Sequence, residues 1–210
     1  MNVKGGDFIP IAWHHMGQIE LEVLNHRDLY TQYKNPTHVN AYGCTLFGKD
    51  DDRTNLTEDP NEQGNWITSI EKEAPNITAF WHVDFPISNY KKIRFVKIEP
   101  NGSVGIHCDN INKDKDKILN PITDIFPLTM SMKEPGPNCH TVVENFGKVP
   151  MKEGRTYLLN PYCKHVMVNT SETESCTHMN IQGIPGQRFG ELINCMTRSF
   201  FELEGRLGKD

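Results

Sequence analysis

Residues 91–110 read KKIRFVKIEPNGSVGIHCDN, and the fold turns on how they are read. Ile93 to Ile98 has the composition of a strand, Pro100-Asn101-Gly102 is a turn, and the chain returns as Ser103 to His107 before closing on His107-Cys108-Asp109. Alternate side chains of an extended run share a face, so His107 and Asp109 are expected to point together, with Cys108 turned away from them. An imidazole and a carboxylate two residues apart are two of the three ligands of a facial triad, the donor set of non-haem iron(II) sites. The third is expected on a later strand, and residues 157–169, YLLNPYCKHVMVN, supply His165.

Outward from this stretch, strand signals recur at Leu128–Met132, Cys139–Asn145, Arg155–Leu159, Val166–Asn169 and Thr177–Gln182. Turns at Pro135-Gly136-Pro137, Gly147, Glu153-Gly154 and Asn160-Pro161 separate them. Short strands at this spacing predict an antiparallel sandwich or barrel rather than a βαβ fold. Asp109 and His165 stand 56 positions apart, room for three or four strands. That suits a mainly β, double-stranded β-helix (jelly-roll or cupin-like) core over about 79–183. Flanking helices are expected on both sides. The C-terminal one spans about 188–206, where Phe189, Leu192, Ile193, Met196, Phe200 and Leu203 form one apolar face. The N-terminal one lies around Asn25–Tyr33. Residues 35–65, rich in Asn, Asp, Thr, Pro and Gly, read as surface loops. Asn65–Ala74 reads as a short helix, and Ala79–Phe85 as an aromatic strand. The latter holds a second His-x-Asp, His82 and Asp84, which Pro86 and its position ahead of the long strand pair disfavour.

The 210 residues are expected to form one domain, 1–210. A formal charge of −5 and a pI near 6.0 leave no electrostatic footprint for nucleic acid. No apolar stretch reaches membrane-spanning length, and the first ten residues lack a signal-peptide core. The six cysteines show no CxxC pairing, so the expectation is reduced thiols in a cytoplasmic protein.

The chemistry follows from the donor set. Iron(II) held on one face keeps three positions open, two for a chelating 2-oxo acid and one for dioxygen. Oxidative decarboxylation of the 2-oxo acid then drives oxidation of an unactivated C–H bond. Three segments in order, IRFVKIEPNGSVGIHCD, PLTMSM and VPMKEGRTYLLNPYCKHVMVNTSE, resemble the aspartyl/asparaginyl β-hydroxylase family of Fe(II)/2-oxoglutarate oxygenases over roughly 92–183. The resemblance implies that His107, Asp109 and His165 ligate iron. It also implies a 2-oxoglutarate-dependent hydroxylase acting on an amino acid, a peptide side chain or a small metabolite.

The family's arginine for the far carboxylate of 2-oxoglutarate, ten to thirteen residues past the distal histidine, is absent from 174–180. His178 is the nearest candidate, with Thr129 and Ser131 replacing a second basic motif; Arg188, Lys133 and Asn180 are further candidates. Arg94 falls where the family often places a basic residue near substrate, on the face opposite Lys97. Asn169 is expected either to orient cosubstrate or to cap a turn. Two other readings stay open: a cupin-type metalloprotein with a different cosubstrate, and a non-enzymatic β-sandwich binding protein whose histidines merely pack.

Overall fold

Residue 89 begins the strand on which the rest is hung, and the neighbours it recruits define the architecture. The computed structural model describes residues 8–13, 30–49, 52, 54, 56, 64–67, 69–79, 81, 87–109, 126–131, 138–144, 147–149, 155–159, 163–188, 190, 191 and 194. Among these, strands β1 (Phe8–Trp13), β2 (Thr31–Gln32), β3 (Val39–Gly48) and β4 (Asn65–Trp66) come first. Two short helices follow, α1 (Ile70–Glu73) and α2 (Pro75–Ala79). Then come the long β5 (Asn89–His107), β6 (Phe126–Ser131), β7 (Cys139–Val143), β8 (Gly147–Lys148), β9 (Arg155–Leu159), β10 (His165–Asn169) and β11 (Cys176–Ile184).

β5 takes different partners along its two halves. Its first half, Asn89 to Ile98, pairs antiparallel with β11, which pairs with β6, which pairs with β9. Its second half, Gly102 to His107, pairs with β10, which pairs with β7, which pairs with β8. The partner changes at 99–101, where Asn101 sits at φ 55°, a left-handed conformation that Asn tolerates better than most residues. Two four-stranded antiparallel layers sharing one bent strand make this a double-stranded β-helix. β1 extends the first layer beyond β9, and β3 lies along β5.

The core lies between the layers. Ala41, Val96, Ile98, Val104 and Met167 form one buried cluster, and Val143, Val149, Tyr157 and Leu159 another. Behind the first layer, Trp81 is fully buried; its Nε1–H points at Met179 Sδ (3.0 Å), and its carbonyl accepts the Tyr90 hydroxyl (2.6 Å). Trp81 is therefore packing, not part of a cavity mouth.

β6, β7, β9, β10 and β11 match the sequence expectations to within two residues, whereas Gly147, expected as a turn, lies in the short strand β8, and the N-terminal third departs further. Val39–Gly48, expected as loop, is the ten-residue β3. Both of its faces are covered, so its small residues carry no alternating signal. Thr31–Gln32, expected at the end of a helix, is strand β2 against Gly43 and Tyr42, while 25–29 lie outside the described residues. Asn65–Trp66 is strand, and helix begins only at Ile70. Ala79, expected to open a strand, closes α2. The expected C-terminal helix is described only at residues 190, 191 and 194, which are helical and follow a 3-10 turn at Gly186–Arg188. Among the described residues no helix is long and apolar enough to cross a membrane.

The cysteines correct another expectation. Cys139 and Cys176 are joined in a disulfide that ties β7 of one layer to β11 of the other.

Candidate metal centre

At the open end of the barrel His107 ends β5 and His165 begins β10, directly opposite one another. A β-bulge makes them face each other. The register runs from Met167↔Val104 to His165↔His107, so Gly105 and Ile106 together oppose the single residue Val166. Regular pairing would have placed Ile106 against His165. The bulge instead pushes Ile106 outward, where it is 68% exposed, and brings His107 round, as bulges commonly do beside functional sites. Gly105 is needed here, because a Cβ would lie 2.3 Å from the Thr37 carbonyl oxygen.

The strand ends at His107, so Asp109 arrives by a bend and not by strand alternation. Its carboxylate nevertheless reaches both imidazoles. Oδ1 lies 3.7 Å from His107 Nε2 and Oδ2 lies 3.5 Å from His165 Nε2. The two rings are 4.3 Å apart between centroids, and one ligand atom from each of the three residues falls within 4.8 Å of the others. For the same reason Cys108, expected to turn away, lines the same cavity.

Each imidazole is oriented from behind. His107 Nδ1–H donates to the Gly105 carbonyl at 2.7 Å, and His165 Nδ1–H to the Cys163 carbonyl at 3.2 Å. A carbonyl can only accept, so each Nδ1 carries a proton, and the neutral ring would turn its Nε2 lone pair toward Asp109. Burial holds His165 below the usual histidine pKa; Asp109 opposes that shift, His107 reinforces it, and the Cys163 bond opposes it. The neutral ring is the ligating form.

The triad opens into a cavity of about 600 Å³. Lys92, Arg94, Asn180 and Gln182 line it, in register as Arg94↔Asn180 and Lys92↔Gln182. Both cations are buried, and Arg94 Nη1 points at the Tyr33 hydroxyl (3.5 Å) and the Leu56 carbonyl (3.4 Å). Arg94 thus faces inward, whereas Lys97, on the opposite face, pairs with Glu99 at 2.7 Å. Lys92 was missed in the sequence, although it stands two residues from Arg94 and alternation already put both on one face. Tyr33, Asn35 and His38, from the segment the resemblance does not cover, line the opposite wall.

The other sequence candidates divide. Asn180 lines the cavity. His178 does not: it is 1% exposed with Nε2 3.5 Å from Cys139 Sγ, and burial pushes its pKa down to about 4. It is neutral at pH 7 and offers no cation to a carboxylate. Thr129 and Ser131 pair with Asn180 and His178 along β6. Arg188 pairs with Glu191 at 3.2 Å and is not among the cavity's lining residues. Asn169 caps a turn: its amide donates to the Ile98 and Glu174 carbonyls, and its oxygen accepts the Ser171 N–H. Lys133 and the alternative His82–Asp84 pair lie outside the described residues.

No protein-family model matches the chain, and no curated protein matches it. Solved structures do match its fold. A prolyl-4-hydroxylase from Pseudomonas putida superposes with a TM-score of 0.50 at 7% identity, covering 85% of this chain and 92% of its own. The non-haem α-ketoglutarate-dependent epimerase SnoN from nogalamycin biosynthesis gives 0.50 at 10% identity, covering 84% and 76%. At such identities the likeness is one of fold.

Proposed function

We propose that the protein is an iron(II)- and 2-oxoglutarate-dependent oxygenase that hydroxylates an unactivated C–H bond of an amino acid, a peptide side chain or a small metabolite. One observation carries the reading. Two imidazole Nε2 atoms face the oxygens of one carboxylate at 3.7 and 3.5 Å, with a ligand atom of each residue within 4.8 Å of the others, a clustering of electron-pair donors that a cation between them would stabilise. The donor set fits iron(II): two nitrogens and one oxygen on one face, each imidazole backed by a carbonyl. Bound there, iron(II) would supply dioxygen activation coupled to decarboxylation of the 2-oxo acid.

The remaining work falls to the chain. Arg94, with Lys92 beside it, is the group for the far carboxylate of the 2-oxo acid, because a guanidinium matches a carboxylate with two parallel hydrogen bonds. Asn180 and Gln182 supply neutral polar partners. The wall carrying Tyr33, Asn35 and His38 faces the substrate, and the cavity volume admits a small molecule or a single side chain beside the 2-oxo acid.

The test is an anaerobic titration with iron(II) and then 2-oxoglutarate, read by the weak visible charge-transfer band of the chelate. The band is expected in the wild type and absent from His165→Ala, and Arg94→Met should weaken 2-oxoglutarate binding at least tenfold. A wild-type protein that binds no iron removes the reading. The second reading, a cupin-type metalloprotein with another cosubstrate, draws support from the withdrawal of His178 into the core. Iron binding without the band, and no succinate formed from 2-oxoglutarate, would select it.

A further inference from the structure

At the barrel end opposite the triad, Cys139 on β7 and Cys176 and His178 on β11 meet between the two layers. Cys139 pairs with Asn169, four residues along β10 from His165, which at ~3.3 Å per residue puts the cluster about 13 Å from the triad. One ligand atom from each of the three lies within 4.8 Å of the others. The His178 imidazole is poorly satisfied for so buried a group. Nδ1 has no hydrogen-bond partner, and Nε2 faces only Cys139 Sγ, 3.5 Å away, a weak acceptor.

We propose that Cys139, Cys176 and His178 are a second metal site, for a thiophilic d10 cation such as zinc(II), which forms when the disulfide is opened. The donor set is the first argument. Two thiolates and an imidazole suit zinc, whereas the two imidazoles and carboxylate of the triad suit iron. Geometry is the second. A tetrahedral ion with Zn–S ~2.3 Å and Zn–N ~2.0–2.1 Å sets S···N at about 3.5 Å. The Cys139–His178 separation is 3.5 Å as it stands. Only Cys176 has to draw back from its partner sulfur; it is half-buried, within reach of a reductant, and begins its strand.

The two states exclude each other. A dithiol reductant gives two electrons and two protons to the S–S bond, leaving two thiols, and becomes a disulfide itself. Zinc(II) then displaces both thiol protons and takes the His178 lone pair, with water in the fourth position. Either state ties β7 to β11.

The experiment is a cobalt(II) titration of the full chain, compared between its disulfide form and a phosphine-reduced form whose added pair of thiols is counted by alkylation. The reduced form is expected to show thiolate-to-cobalt charge transfer in the near ultraviolet at one equivalent, removed by zinc(II). His165→Ala should keep that band, while the disulfide form and the Cys139→Ser/Cys176→Ser double variant should lack it. The double variant separates this site from Cys108 beside the triad. A reduced, folded protein that binds cobalt without the thiolate band overturns the proposal. So does a band that survives in the double variant, or a disulfide that resists reduction in the folded chain. The wild-type comparison needs no variant to fold.

Discussion

Gly105 carries two duties that no other residue type combines. Its carbonyl accepts the His107 Nδ1–H, and its missing Cβ leaves room for the Thr37 carbonyl. Gly105→Ala is expected to cost about 1–3 kcal/mol, the usual range for forced overpacking, and to lower iron(II) affinity by displacing His107. Calorimetric unfolding and iron titration check both effects; a variant with wild-type stability and affinity would mean that the β2–β3 loop yields freely. His178 sets a second expectation. Its folded pKa, about 4, lies below the ordinary 6.5, so the unfolded chain takes up the proton first. Its contribution is therefore complete above pH 6.5 and is lost as pH falls toward 4, by roughly 3 kcal/mol at ~1.36 kcal/mol per unit. The lowered His165 acts in the same direction. Denaturant unfolding of the disulfide form at pH 7 and 4.5 should show a smaller acid loss in His178→Leu than in the wild type; equal losses would remove His178 as the cause. At this scale the sequence could single out His107, Asp109 and His165 as a set, because two imidazoles and a carboxylate at that spacing are a recognisable donor set, and the fold brings the three together. It could not place His178, whose neighbour Cys139 lies 39 positions away and is met only across the barrel.

β6, β7, β9, β10 and β11 were legible because turn-forming Gly, Pro, Asn, Ser and Thr residues set off their β-branched and apolar runs, whereas the two-residue β8 was read as a turn at Gly147. β3 was not legible, because Ala41, Cys44, Thr45 and Leu46 are all buried and leave no period of two. β5 shows a subtler limit. Alternation from Val104 makes Ile106 the inward residue and His107 the outward one, and only the bulge reverses this. The bulge is a property of the pair β5–β10 and of the Thr37 carbonyl pressing on Gly105, so one strand's sequence does not reveal it. The register can be tested with two substitutions of one kind. Ile106→Lys is expected to shift stability by no more than about 0.5 kcal/mol and to leave iron binding intact, as for an exposed site. Val104→Lys places a charge in a core cluster and is expected to unfold the protein or cost several kcal/mol. The opposite ranking in thermal denaturation would mean that the strand is regular and the triad misaligned.

The chain crosses between the two layers from β6 to β7, β8 to β9, β9 to β10 and β10 to β11, and further contacts join them at the end of β10 away from His165. Three devices are visible there: the turn at 99–101 of β5, the Asn169 amide holding the Ile98 and Glu174 carbonyls, and the Cys139–Cys176 bond between β7 and β11. The first is local in sequence; the second reaches across 71 positions, from Asn169 to Ile98. The disulfide closes 37 positions, which by loop entropy constrains the unfolded chain by about 4 kcal/mol. For a chain of this length that corresponds to roughly 8–16 °C in melting temperature. Reducing the protein in the presence of a chelator, with alkylation to count the opened thiols, is therefore expected to lower Tm by that order. The loss should appear as one cooperative transition, because both layers draw on the same core clusters. Separate melting of the layers would show that the disulfide holds two independently folding sheets together. An unchanged Tm, with both thiols counted, would mean that the β5 bend and the Asn169 clamp suffice to close the barrel.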